Sequence, residues 1–147
     1  MSATARLAEL GITLPPVATP AGSYVPAVRT GNLVYTAGQV PVDAPKGKVG
    51  ADVSAGDAKA AARMCALQAL AAVDALVGLD SIARIVKVVG FVASAPGFTD
   101  QPGVINGASD LLGEVFGEAG AHARAAVGVA ELPLGVPVEV ELIVEVR

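Results

Sequence analysis

Residues 138–147 constrain the fold more than any other stretch. Val138, Val140, Leu142, Val144 and Val146 alternate there with Glu139, Glu141, Ile143, Glu145 and Arg147. Successive side chains of a strand point to opposite faces, so this pattern predicts a β-strand with one buried face and one largely charged face. Such a strand needs neighbours in a sheet and an apolar layer over its valine side.

The rest of the chain supplies both. Tyr24 to Arg29 and Leu33 to Ala37 are short strand-like runs around Thr30, Gly31 and Asn32, a turn composition that predicts a hairpin. Gln39 to Asp52 holds two prolines, Gly47 and Gly50, and reads as loop until Ser54, which with Asp57 predicts a helix start. Ala60, Met64, Leu67 and Ala71, with Ala66, Leu70, Val73 and Val77, form a wide apolar face that runs to a stop at Gly78. Ile82 to Ala93 reads as a strand buried on both faces or at a contact between copies. A second helix is predicted from about Pro102, with Gly117 and Gly120 ending it, and Ala125 to Ala130 reads as a strand expected to pair with the tail. The order is strand, strand, helix, strand, helix, strand, strand: an α+β domain, a mostly antiparallel sheet with two helices packed on one face. Ahead of it, residues 1–22 carry a short helical pattern over Ala5 to Leu10 and then a Pro-containing run, and read as an arm lying on a single domain of residues 23–147.

Composition narrows the function. The 147 residues suit one core. Aromatic residues make up 3% and charged residues 16%, so that core must come from Ala, Val, Leu and Ile, and some apolar surface is expected to be covered by a second copy of the chain. A net charge of -4 and a pI of about 4.8 repel phosphate backbones, which argues against nucleic acid as a partner. Cys65 is the single cysteine, so no disulfide forms within the chain; a lone thiol among apolar neighbours fits a core position and a cytoplasmic setting. Met1 to Leu10 has no export pattern, and Gln68 and Asp74 interrupt the richest apolar segment, so no membrane span is expected.

Conventional catalytic motifs are absent: no glycine loop ending in Lys, no metal-ligand spacing of His and Cys, no nucleophile elbow. Arg124 stands out, a guanidinium in a stretch otherwise free of charge. Its planar fork can grip a carboxylate with two parallel hydrogen bonds; the plain alternative is a solvated strand-start arginine or one paired with a distant acid. Glu139 and Glu141 share a face of the last strand, where a glutamate can position a water or simply be solvated. His122 could in principle serve as a general base, but a single histidine at a loop-to-strand junction is more often a surface or structural residue, and it is given a minor role. Tyr24, Gly38 and Asn106 are ordinary taken singly.

Taken together, Tyr24-Val25-Pro26-Ala27-Val28, then Gly31 to Asp43, then Ala123-Arg124-Ala125-Ala126-Val127 with Leu132-Pro133 and Val138-Glu139-Val140-Glu141, resemble the RidA-like (YjgF-type) reactive imine and enamine deaminases, also described as endoribonuclease L-PSP-like. The likeness spans Ser23 to Val146. It implies a chorismate-mutase-like fold and a homotrimer with clefts between subunits. In each cleft Arg124 would hold the substrate carboxylate, Gly38 would help through its backbone, Tyr24, Asn106 and Ala126 would line the site, and Glu139 would order the attacking water. The implied reaction takes small 2-imino or 2-enamine acids to 2-oxo acids and ammonia, without a metal or other cofactor. Two departures are visible: His122 where the family usually has a small residue or proline, and Ala126 where it often has cysteine. A binding module for a small oxo acid is the second reading, and a ribonuclease or translation inhibitor the third.

Overall fold

The computed structural model describes residues 1–147. Its elements are α1 (Ala3–Glu9), β1 (Ala27–Thr30), β2 (Leu33–Thr36), α2 (Ala55–Val77), β3 (Ile82–Ala93), α3 (Gln101–Phe116), β4 (Ala123–Val129) and β5 (Val138–Val146). The five strands form one sheet in the order β1-β2-β5-β3-β4. All neighbouring pairs are antiparallel except β3 and β4, which run parallel. A parallel pair needs a crossover, and α3 provides it.

The tail strand forms as its alternation predicts. Val138, Val140, Leu142, Val144 and Val146 are all buried, beneath α2, and the intervening residues are half-buried or exposed. One expected pairing is wrong, however. The strand predicted at Ala125 to Ala130 does not pair with the tail; β4 lies along β3, with Arg124 opposite Val88 and Ala126 opposite Gly90. β5 sits between β2 and β3 instead, since its unbroken apolar row is best covered from the middle of the sheet, whereas no residue of β4 is fully buried and it takes an edge. In β3, two register shifts carry the helix-facing residues Ile82, Ile85 and Val88 at three-residue intervals, and its other face is only half-buried.

The helices begin and end close to their sequence signals. Ser54 Oγ accepts from the Asp57 amide at 3.1 Å, and Gly78 ends α2 with φ 85°. Close packing explains Gly107 in α3: a Cβ there would collide with the Lys59 carbonyl of α2. By length and composition α2 could cross a membrane, contrary to the interruption expected from Gln68 and Asp74. Gln68 is instead satisfied inside the fold, and the exposed Asp74 caps the turn that follows the helix. Gln68, 1% exposed, donates from Nε2 to the Val40 carbonyl (2.8 Å) and accepts the Val42 amide (3.1 Å), while Asp74 Oδ1 accepts the Leu79 amide (2.8 Å). α2 is therefore the central core helix, covering the valine row of β5. The N-terminal segment packs on the rest of the chain: Leu7 joins the core, the Thr4 amide donates to Asp80, and Arg6 Nε donates to the Glu114 carbonyl at 2.9 Å.

Candidate active site in two halves

The first half-site forms where β2 ends beside β5. Regular pairing runs to Tyr35 opposite Ile143, and resumes as an isolated bridge between Gln39 and Val140. Across the interruption the Leu142 amide is taken by Thr36 Oγ1 at 3.0 Å, and the Ala37 amide by the Pro26 carbonyl at 2.8 Å. Gly38 lies at the interruption, where its N–H donates to no group of the chain. The Glu139 side chain packs directly on it, so that any Cβ at position 38 would overlap the carboxylate. Glu139 accepts no hydrogen bond from the chain, and burial, then the nearby charge of Glu141, push its carboxyl above the usual range. A cavity of about 800 Å³ opens here, lined among others by Tyr24, Val28, Tyr35, Gly38, Leu134 and Glu139. The Tyr24 hydroxyl accepts the Ala21 amide at 3.1 Å, so the end of the arm forms part of the wall. Leu134, exposed and in the left-handed region at φ 61°, stands at the rim.

The second half-site lies at the β4 edge of the sheet. Arg124 shares the helix-facing side of β4 with Ala126, which packs against the core. Its Nη1 donates to Asn106 Oδ1 (2.7 Å) and to Ser109 Oγ (3.2 Å), and its Nη2 to the Pro102 carbonyl (3.3 Å). These acceptors all belong to α3 and are all neutral. No carboxylate of the chain forms an ion pair with Arg124. The arginine is thus neither simply solvated nor paired with a distant acid. Asn106 and Ser109 stand one helical turn apart and meet the guanidinium together. Ser109 escaped the sequence reading; the signal for it was a polar i, i+3 pair on a helix whose neighbouring Ile105, Ala108 and Leu112 are buried.

Within one chain the two halves do not meet. Arg124 faces the helices, while Glu139 alternates with the buried Val138 and Val140 and so points to the other face. Tyr24, Gly38 and Glu139 come together; Arg124, Asn106 and Ala126 come together elsewhere. Cys65 is a core residue in neither half, and burial, followed by the charge of Glu139, pushes its thiol far above the usual range.

Residues 16–146 match the family model described as endoribonuclease L-PSP. The chain belongs to this family, the RidA-like (YjgF-type) proteins. It is 47% identical over 149 residues to protein TCP17 of Trypanosoma cruzi, covering 97% of this chain and 93% of that protein. It is 36% identical over 127 residues to the 2-iminobutanoate/2-iminopropanoate deaminase of Escherichia coli, covering 83% of this chain and 86% of the deaminase. Among solved structures, a protein of unknown function from Agrobacterium tumefaciens superposes with a TM-score of 0.90 at 48% identity, covering 99% of this chain and 92% of that one. The α+β fold expected from the resemblance is thereby established, and the family carries members named as deaminases.

Proposed function

We propose that this protein hydrolyses small reactive 2-imino and 2-enamine acids to 2-oxo acids and ammonia, in clefts that a homotrimer closes between neighbouring copies. The observation that carries the reading is Arg124, a partly buried guanidinium held by three neutral oxygens and left without an acid. A cation so placed has unspent charge and unspent donors, and a carboxylate is the ligand that uses both.

The other half-site supplies what hydrolysis needs. An imine carbon beside a carboxylate is already electrophilic, so the protein has to orient the acid and place a water. The unspent Gly38 N–H is suited to a substrate oxygen, and Glu139, hydrogen-bonded to nothing in the chain, to a water hydrogen. A raised carboxyl keeps its proton affinity closer to that needed to accept a proton as water attacks and return it to the leaving ammonia. The apolar walls at Val28, Tyr35 and Leu134 favour substrates with uncharged side chains. Because Arg124 and Glu139 face opposite sides of one sheet, a shared substrate requires the arginine of one copy and the glutamate of another; the edge position of β4 and the exposed Val28, Tyr35 and Val127 favour such a contact. The E. coli relative, named as a deaminase of 2-iminobutanoate and 2-iminopropanoate, supports the substrate class. The buried free thiol of Cys65 accords with a cytoplasmic setting.

The test is release of ammonia or 2-oxo acid from imino acids made in place by an amino-acid oxidase. Acceleration by the parent protein that falls at least tenfold in Arg124→Ala, roughly the worth of a hydrogen bond to a charged group, supports the reading. A folded trimer that accelerates none of a panel of imino acids, yet binds 2-oxo acids, would turn it into a metabolite-binding module.

A further inference from the structure

The hydrogen bonds of Arg124 continue beyond its guanidinium. Ser109 Oγ, which accepts from Nη1, lies 2.9 Å from His122 Nε2, and His122 Nδ1 lies 2.6 Å from the Gly120 carbonyl. A peptide carbonyl only accepts, so Nδ1 carries the proton. In the neutral ring Nε2 is then an acceptor, and it draws the Ser109 hydroxyl hydrogen to itself. That leaves a Ser109 lone pair turned to Arg124. The donors run in one direction, Arg124 to Ser109 to His122 to Gly120, and each bond polarises the next.

Counting donors shows what this arrangement achieves. Arginine has five N–H groups. Asn106 and Ser109 take both on Nη1, and the Pro102 carbonyl takes one on Nη2. Nε and one Nη2 hydrogen remain, and they can meet the two oxygens of one carboxylate. Without a defined acceptor at Ser109, the Nη1 end would keep only Asn106 and the guanidinium plane would be less fixed. Ser109 itself is engaged on both sides, so it is suited to holding rather than to attack.

We propose that His122 and Ser109 are positioning residues for Arg124: His122 fixes the Ser109 hydroxyl, and Ser109 closes one end of the guanidinium so that the Nε–Nη2 edge is held ready for a carboxylate. The ligand in this proposal rests on the function proposed above. The positioning does not, and can be observed in the free protein.

The experiment is nitrogen-15 NMR of the arginine side chains in the full-length protein, with the Arg124 signals assigned by their loss in Arg124→Lys, followed by titration with pyruvate as the simplest 2-oxo acid. The parent should show separate, slowly exchanging Nη signals for Arg124. Ser109→Ala and His122→Ala should average them and weaken pyruvate binding about three- to tenfold each. Ser109→Thr, which keeps the hydroxyl, should restore both. Because His122 acts only through Ser109, the double variant should bind no more weakly than Ser109→Ala alone. Unchanged restraint of Arg124 in both alanine variants, or additive losses in the double variant, would overturn the proposal. If His122→Ala does not fold, His122→Asn and the Ser109 pair decide it. A parent that fails to bind pyruvate contradicts the proposed function, while the NMR signals still judge the positioning.

Discussion

Gly38 and Glu139 are in contact where β2 leaves β5: the place of a Cβ at residue 38 is filled by the Glu139 carboxylate. The smallest residue at this point lets a glutamate lie over an unspent backbone N–H. Gly38→Ala should therefore push Glu139 aside while leaving the valine row of β5 intact. We expect a folded protein whose kcat/KM for imino acids falls by about a hundredfold or more, since a positioned acid–base group contributes on the order of 10²–10⁴-fold. Steady-state rates with the unfolding midpoint as control check this.

Arg124 is expected to fail in a graded way. Arg124→Lys keeps the charge but loses the planar fork, and Arg124→Ala loses both. Hydrogen bonds to a charged group are worth roughly 1.5–3 kcal/mol, so kcat/KM should drop by roughly ten- to a hundredfold in the alanine variant and by less in the lysine variant. Equal activity in all three proteins would remove the arginine from the reaction.

Glu139 makes a prediction about stability and pH. Its folded carboxyl is raised by burial first and by Glu141 second, so the folded state binds its proton more tightly than the unfolded chain does. That contribution is favourable below the ordinary carboxylate range and is lost as pH rises through the raised value. Glu139→Gln should therefore be more stable than the parent near neutrality, with the difference shrinking in acid. Glu141→Gln should move the acid limb of the pH–rate profile to lower pH. Thermal unfolding from pH 4 to 8 (roughly spanning the carboxylate range) tests the first statement, and rate profiles the second.

Gln68 ties the loop after Gly38 to the central helix, with its amide spanning Val40 and Val42. Gln68→Leu keeps the volume and strands both backbone groups. We expect a loss of about 1–3 kcal/mol in denaturant unfolding and a rise in KM, because the loop that holds Gly38 is released.

Much of this fold is legible in the sequence because its signals are local. The alternation over Val138–Val146 gives β5, the Gly31-Asn32 turn gives the hairpin, and Ser54 and Gly78 bracket α2. Pairing partners are another matter. The short pattern of β4 does not say which strand lies beside it, and its parallel run along β3 follows from the crossover through α3 and from β5 taking the middle of the sheet. The residues of the candidate site were legible by their likeness to a family, not by pattern. Ser109 was marked only by its i, i+3 pairing with Asn106, a faint signal because one serine in a helix is common; its meaning comes from lying opposite Arg124 and His122. Likewise nothing local in Arg124 or Glu139 says that they face opposite sides of one sheet.

That opposition can be probed by mixing two impaired proteins. In the proposed trimer, Arg124→Ala and Glu139→Gln variants, unfolded together and refolded at equal amounts, should mix so that some clefts pair the intact arginine of one copy with the intact glutamate of another. Random assembly gives about a quarter of the clefts both groups. Imine hydrolysis should recover to roughly that fraction of the parent rate, with each variant refolded alone remaining well below it. Mixed trimers of confirmed composition that stay as inactive as the separate variants would contradict a site shared between copies.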